Sequence, residues 1–136
     1  MTKTKLTGPE LDEKFFVWKG WVKDESISVT HGMWVLPDGT IWAESTDKFG
    51  EIRKKELPQI DKSLDLQEEW LWPELYKVDI TQSYFIKATN GGISCFLQHN
   101  QDNGWPWDSV LYADSATKAL AQLTAGLKAL GVDVAG

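Results

Sequence analysis

Apolar residues along the 136-residue chain recur with two different periods. Leu11, Phe15 and Trp18 are spaced four and three apart, the interval that places side chains on one face of a helix. Thr7 and Glu10 have the spacing of a capping box, in which each side chain satisfies a backbone donor at the helix start. Gly20 supplies a left-handed end. These signals predict a first helix from about Pro9 to Lys19. Near the other end, Leu120, Leu123, Leu127 and Leu130 repeat at three, four and three, the stripe of a helix packed on a sheet. Ser115 is its expected N-cap, Gly131 its end, and Val132 to Gly136 an expected flexible tail.

Between these helices the period shortens to two. Ser26 to Thr30 alternates and predicts a strand. Met33 to Leu36 and Thr40 to Glu44 flank Pro37-Asp38-Gly39, a fixed φ followed by a side-chain acceptor and a residue tolerant of positive φ. That pattern is a hairpin. Ser45 to Lys62 is polar, with Leu57-Pro58 breaking any helix, and is expected to be irregular. A second helix is predicted from Ser63 or Asp65, with Asp65 and Glu68 as a capping pair. Leu64, Leu71 and Leu75 form its apolar side, and Pro73 imposes a kink or an end near Trp72. A second strand cluster follows: Lys77 to Thr81, Tyr84 to Thr89, a turn at Asn90-Gly91-Gly92, Ile93 to Gln98, and Trp107 to Ala113. The order predicts an α+β fold in one domain spanning residues 1–136, its antiparallel hairpins packed with three helices in an α-β-α sandwich-like arrangement.

Composition narrows the class. The proportions, 42% hydrophobic and 25% charged, suit a folded domain rather than a disordered chain. No run approaches the roughly 20 apolar residues of a membrane span, so no membrane partner is expected. The basic start, Met1 to Lys5, has no apolar run behind it, and no secretory signal is expected. A single cysteine, Cys95, cannot form an internal disulfide, which points to a cytoplasmic setting. Twenty acids against fourteen bases give a net charge of −6, which argues against coating an extended nucleic acid.

Catalytic and metal motifs are lacking. The chain carries no phosphate-cradling loop, dinucleotide fingerprint, nucleophile elbow or paired-histidine zinc helix. His31 and His99 are isolated, Cys95 reads as a small buried hydrophobe, and the spacing within Asn100 to Asp108 does not fit a calcium loop. No enzyme activity, metal or cofactor is expected. Tryptophan is the anomaly: there are eight. Trp18, Trp34, Trp70 and Trp42 are assigned to the core, where an indole buries a large area. Trp105-Pro106-Trp107, beside Asn100 and Asn103, could instead offer flat faces to a base, with amides to read its edge. Plain loop anchoring is the commoner use of such a triplet. Arg53 and Lys54, within Arg53-Lys54-Lys55, could clamp a phosphate, although Glu51 and Glu56 flank the run.

Ser63-Leu64-Asp65, followed by Trp70-Leu71-Trp72-Pro73 and Leu75, resembles the second helix of small phage and prophage proteins of the ABA-sandwich family. Lys19-Gly20-Trp21, Pro37-Asp38-Gly39 and Ala113-Asp114-Ser115-Ala116-Thr117-Lys118-Ala119-Leu120 resemble other segments of that family in the same order. The abundance of tryptophan and the long Gln98 to Trp107 loop depart from its pattern. The resemblance implies a phage origin, in the host cytoplasm, and transfers no site. Two functions are expected in turn. One is a non-catalytic sponge for a nucleotide-derived immune signal, a small anionic ligand held by Trp105, Trp107, Asn103, Asn100, Arg53 and Lys54 in a homo-oligomer. The other is an acidic inhibitor or accessory factor that binds a host protein.

Overall fold

The computed structural model describes residues 6–46, 51–87, 91–99, 111–115 and 117–134. Helix α1 spans Gly8–Trp18. Thr7 Oγ donates to Glu10 Oε1 at 2.8 Å, the Thr7 amide donates to the same oxygen at 3.2 Å, and the Glu10 amide returns to Thr7 Oγ at 3.4 Å. The capping box is therefore formed. The helix closes on Gly20 at φ +99°, with the Trp21 amide donating to Phe16 O at 2.9 Å. Leu11, Phe15 and Phe16 are buried, whereas Trp18 is 41% exposed and does not belong to the buried stripe.

The chain forms two compact units, Glu13–Pro58 and the combination of Met1–Asp12 with Gln59–Gly136, so the division falls within α1. The Glu13–Pro58 unit contains a four-stranded antiparallel sheet in the order β1 (Val22–Lys23), β2 (Trp34–Val35), β3 (Ile41–Thr46), β4 (Glu51–Lys54). The β2–β3 hairpin turns through Pro37-Asp38-Gly39. There the Thr40 amide donates to Asp38 Oδ1 at 2.9 Å, and Gly39 takes φ +90°. Rings link the helix to the sheet: Phe15 meets Phe16 edge-on at 5.1 Å, Phe16 lies 4.5 Å from Trp21, and Trp21 lies 5.3 Å from Trp42. Each such pair adds about 0.5–1.5 kcal/mol beyond the area it buries.

Two expectations fail in this unit. Ser26 to Thr30 is a series of bends and turns, not a strand. Asp24 gathers the segment: its carboxylate accepts from the Ser26 amide at 2.8 Å and from the hydroxyls of Ser26, Ser28 and Thr30. Local side-chain acceptors offer the backbone an alternative to a ladder, and here they win. These donors, Ser26 first, hold the Asp24 carboxyl down at about 2. The stretch after Ser45 is not wholly irregular either, because β3 continues to Thr46 and β4 pairs with it, Glu44 opposite Arg53 and Ala43 opposite Lys54.

The other unit contains α2 (Leu64–Trp70), α3 (Trp72–Lys77), a three-stranded antiparallel sheet in the order β5 (Ile80–Lys87), β6 (Ile93–His99), β7 (Leu111–Ser115), and α4 (Lys118–Ala129). Ser63, rather than an Asp65–Glu68 pair, caps α2 by accepting from the Leu66 amide at 3.2 Å. Pro73 divides the expected helix in two, with Leu71 as the joint. Proline is tolerated there because the first turn of α3 needs no amide hydrogen from it. Four helices thus stand among the described residues where three were expected. Lys77 ends α3 instead of starting a strand, and Asp79, at φ 67°, turns the chain into β5. Thr117, not Ser115, caps α4, accepting from the Leu120 amide at 3.1 Å, while Ser115 closes β7.

Helix α4 packs on β6 and β7, burying Leu123 and Leu127 on the side that also buries Cys95 and Leu97. Leu120 and Leu130 are half-buried. Gly126 allows a close approach, since a Cβ there would lie 3.0 Å from Leu71 Cδ2. The fold is mixed α+β, with two antiparallel sheets among the described residues.

One buried pair in this unit is electrostatically costly. Asp12 Oδ1 accepts from the Asp61 amide at 2.9 Å, both carboxyls are buried, and Asp61 Oδ1 has no hydrogen-bond partner. A Cβ on Gly8 would overlap the Asp61 carboxylate, so a side chain at that position would have to displace it. Burial first, and then the neighbouring Asp61 carboxyl, push the Asp12 carboxyl up to about 9, with Lys62 opposing. Between its unfolded value of 3.8 and about 9, the native state keeps a proton that the unfolded chain has lost. Stability from this site therefore falls as pH rises through that window, by up to ~1.4 kcal/mol per pH unit. Urea denaturation from pH 4 to 9 should show the decline, and it should flatten in Asp12→Asn, which keeps the acceptor for the Asp61 amide.

Candidate functional site

The expected aromatic loop residues Asn100, Asn103, Trp105 and Trp107 lie outside the described residues, as does the part of the expected last strand before Leu111. Arg53 and Lys54 are exposed on β4. A Cβ on Gly32 would lie 3.0 Å from Lys54 Nζ, so the Lys54 ammonium rests close to that turn. Lys55 sits with Nζ 4.0 Å above the Trp42 ring, whose Nε1 donates to Glu56 O at 2.8 Å. One member of the basic run is thus engaged in a cation–π contact within its own unit.

Of the tryptophans assigned to the core, Trp34 is buried while Trp42 and Trp70 are half-buried; Trp21 and Trp72 are buried as well. Cys95 is fully buried and unpaired, and desolvation pushes its thiol up to about 12, the behaviour of an inert core residue. His31 is exposed, with Nδ1 2.7 Å from Ser26 O. Among the described residues no group of three or more metal-ligating side chains gathers, and no helix is long and apolar enough to cross a membrane.

A cleft of about 270 Å³ opens in the unit that holds α2 to α4. Leu64 and Glu68 of α2, Trp72 and Tyr76 of α3, Thr81, Ser83 and Phe85 of β5, and Gln122 of α4 line it. Sequence periodicity explains the wall. Trp72 and Tyr76 are four apart on α3 and meet with ring centroids 5.6 Å apart. Ser83 and Phe85 are two apart on one face of β5. Tyr76 is 57% exposed, so its ring is open to solvent. Lys118 Nζ lies 5.6 Å from the Phe85 ring, placing a cation beside this aromatic wall.

The polar part of the cleft is the end of a buried relay. Gln67, fully buried, donates from Nε2 to Ile60 O and to Ala119 O, both at 2.6 Å. Gln122 Nε2 donates to Gln67 Oε1 at 2.6 Å, and Ser83 Oγ donates to Gln122 Oε1 at 2.8 Å. Sequence reasoning missed these residues. The available signal was a glutamine inside each apolar stripe: Gln67 stands between Leu64 and Leu71, and Gln122 beside Leu123. An amide on a core-facing side needs partners there.

No protein-family model, curated protein or solved structure matches the chain. Its site is therefore defined by its own geometry. Replacing Gln67 with leucine should strand two main-chain carbonyls and the Gln122 amide. Chemical denaturation should show a loss of at least ~3 kcal/mol, at ~1–3 kcal/mol for each buried group left unpaired.

Proposed function

We propose that this protein is a non-catalytic binding protein, a sponge that sequesters a small nucleotide-derived signal, with the α2–α4 cleft as the part that holds the base. The observation that carries the reading is the cleft itself, in which Trp72, Tyr76 and Phe85 provide aromatic surface beside the hydrogen-bonding groups of Ser83 and Gln122. Small-ligand sites are typically concave, mainly apolar and equipped with a few fixed polar groups. A volume of about 270 Å³ suits one base and its sugar rather than a whole signalling dinucleotide. A homo-oligomer would enclose more of a larger ligand. The phage setting, the anti-defence role and a cytoplasmic place of action complete this reading. The Trp105-Pro106-Trp107 segment with Asn100 and Asn103 is its further candidate contact.

Calorimetric titration against cyclic nucleotides and ADP-ribose derivatives tests the proposal, with chromatography of each incubated ligand alongside. Micromolar or tighter binding with no product formed is the expected outcome; silence across the panel, or turnover, removes it. Tyr76→Ala should weaken binding by ~1–3 kcal/mol, the contribution of one stacked base, while leaving thermal stability nearly unchanged.

A second reading, an inhibitor that binds a host protein, is favoured by the Asp24 loop. The serine and threonine hydroxyls turn onto Asp24, so Ile27 is left fully exposed and Val29 83% exposed. A loop already fixed in place loses little entropy on docking. The acidic chain would be drawn to a basic partner. Under this reading, a stoichiometric host partner recovered from lysate with the native chain should be lost with the Ile27→Ser/Val29→Ser double variant.

A further inference from the structure

The relay behind the cleft has a fixed proton order, and that order restricts what the cleft can hold. Gln67 Nε2 faces two main-chain carbonyls, so both of its hydrogens are committed and Gln67 Oε1 must accept. Gln122 is then obliged to turn Nε2 toward Gln67, which leaves Gln122 Oε1 to face Ser83. The single hydroxyl hydrogen of Ser83 goes to that oxygen. Toward a ligand, Ser83 Oγ can consequently only accept. Glu68 adds a carboxylate to the same cleft, also an acceptor in its charged form. Two acceptors, one of them charged, therefore stand among the aromatic rings of Trp72, Tyr76 and Phe85, beside the Thr81 and Tyr76 hydroxyls and the second Gln122 amide hydrogen, which can donate.

We infer that the cleft selects a planar heterocycle whose edge carries adjacent N–H donors, as guanine does with its ring N–H and exocyclic amine, over one that presents a ring acceptor, as adenine does. The inference rests on the reading that this cleft holds a base, and it names the kind of base. The Glu68 carboxylate can take both N–H groups of a guanine edge, whereas an adenine edge offers it one N–H beside a ring-nitrogen lone pair. A site built to pair a donor rejects an analogue that lacks it, because its own polar groups are left unpaired.

Calorimetry on the full chain with guanosine, inosine and adenosine separates the cases without any contribution from phosphate. Guanosine should bind at least about tenfold tighter than adenosine. Inosine, which keeps the ring N–H but lacks the exocyclic amine, should fall between them. Glu68 is exposed on α2, so Glu68→Gln should leave the thermal melting point unchanged while narrowing the gap between guanosine and adenosine. Equal binding of guanosine and adenosine, or a gap unaltered in Glu68→Gln, overturns the donor-edge assignment and leaves a base-binding cleft in place. Failure of all three nucleosides to bind overturns both.

Discussion

The side-chain amide of Gln67 ties together three parts of the unit that holds α2 to α4. It is fully buried, and it joins the loop before α2, through Ile60 O, to the first turn of α4, through Ala119 O. A buried amide with both hydrogens on carbonyls cannot flip without setting its oxygen against two others. Its orientation is inherited by Gln122 and then by Ser83. The hydrogen-bonding character of the cleft is thus decided at some remove from it, by two main-chain carbonyls. The same requirement pins α2 to α4, whose apolar sides meet where Leu71 packs on Gly126.

The other unit solves a different problem with a different device. Its core is a succession of rings from Phe15 to Trp42, capped by the Lys55 ammonium, and among the described residues it buries no charged side chain. Its polar interactions collect instead at Asp24, which turns Ser26, Ser28 and Thr30 onto one carboxylate. The hydroxyls turn onto Asp24 at the surface, and the aliphatic side chains of Ile27 and Val29 face water. Exposed aliphatic groups on a fixed loop cost solvation without improving the core, and a partner surface would recover that cost.

Legibility in the sequence follows the range of the interactions. The Thr7–Glu10 box, the Pro37-Asp38-Gly39 hairpin, the break at Pro73 and the Leu123–Leu127 side of α4 are decided within a few residues, and each could be read directly. Alternation in Ser26 to Thr30 misled because the period-two pattern says nothing of Asp24, the competing acceptor just before it. Ser115 and Thr117 are both competent caps, and only pairing of Ser115 in β7 settles the choice. The cleft was illegible for a deeper reason. Gln67 and Gln122 stand 55 positions apart, and Ser83 and Gln122 39 apart, so no local spacing announces the relay. The expected site was legible as composition alone: Arg53 and Lys54 prove to be strand residues on β4, in a unit that does not contain the cleft.

The difference in kind between these groups bears on how specificity would arise. An exposed cation such as Arg53 or Lys54 attracts many anions, and pairs at such surfaces are worth about 0.2–1 kcal/mol and weaken with salt. Charge there would speed an encounter more than it would choose a partner. A mismatched hydrogen bond against the Ser83–Gln122–Gln67 relay costs ~1–3 kcal/mol, does not depend on ionic strength to the same degree, and cannot be relieved by rotating a side chain whose proton is already committed. The neutral relay, though it carries no formal charge, would therefore discriminate more strongly than those cations. The more a ligand were desolvated among Trp72, Tyr76 and Phe85, the larger that discrimination would become, since each unpaired acceptor would have no water to turn to.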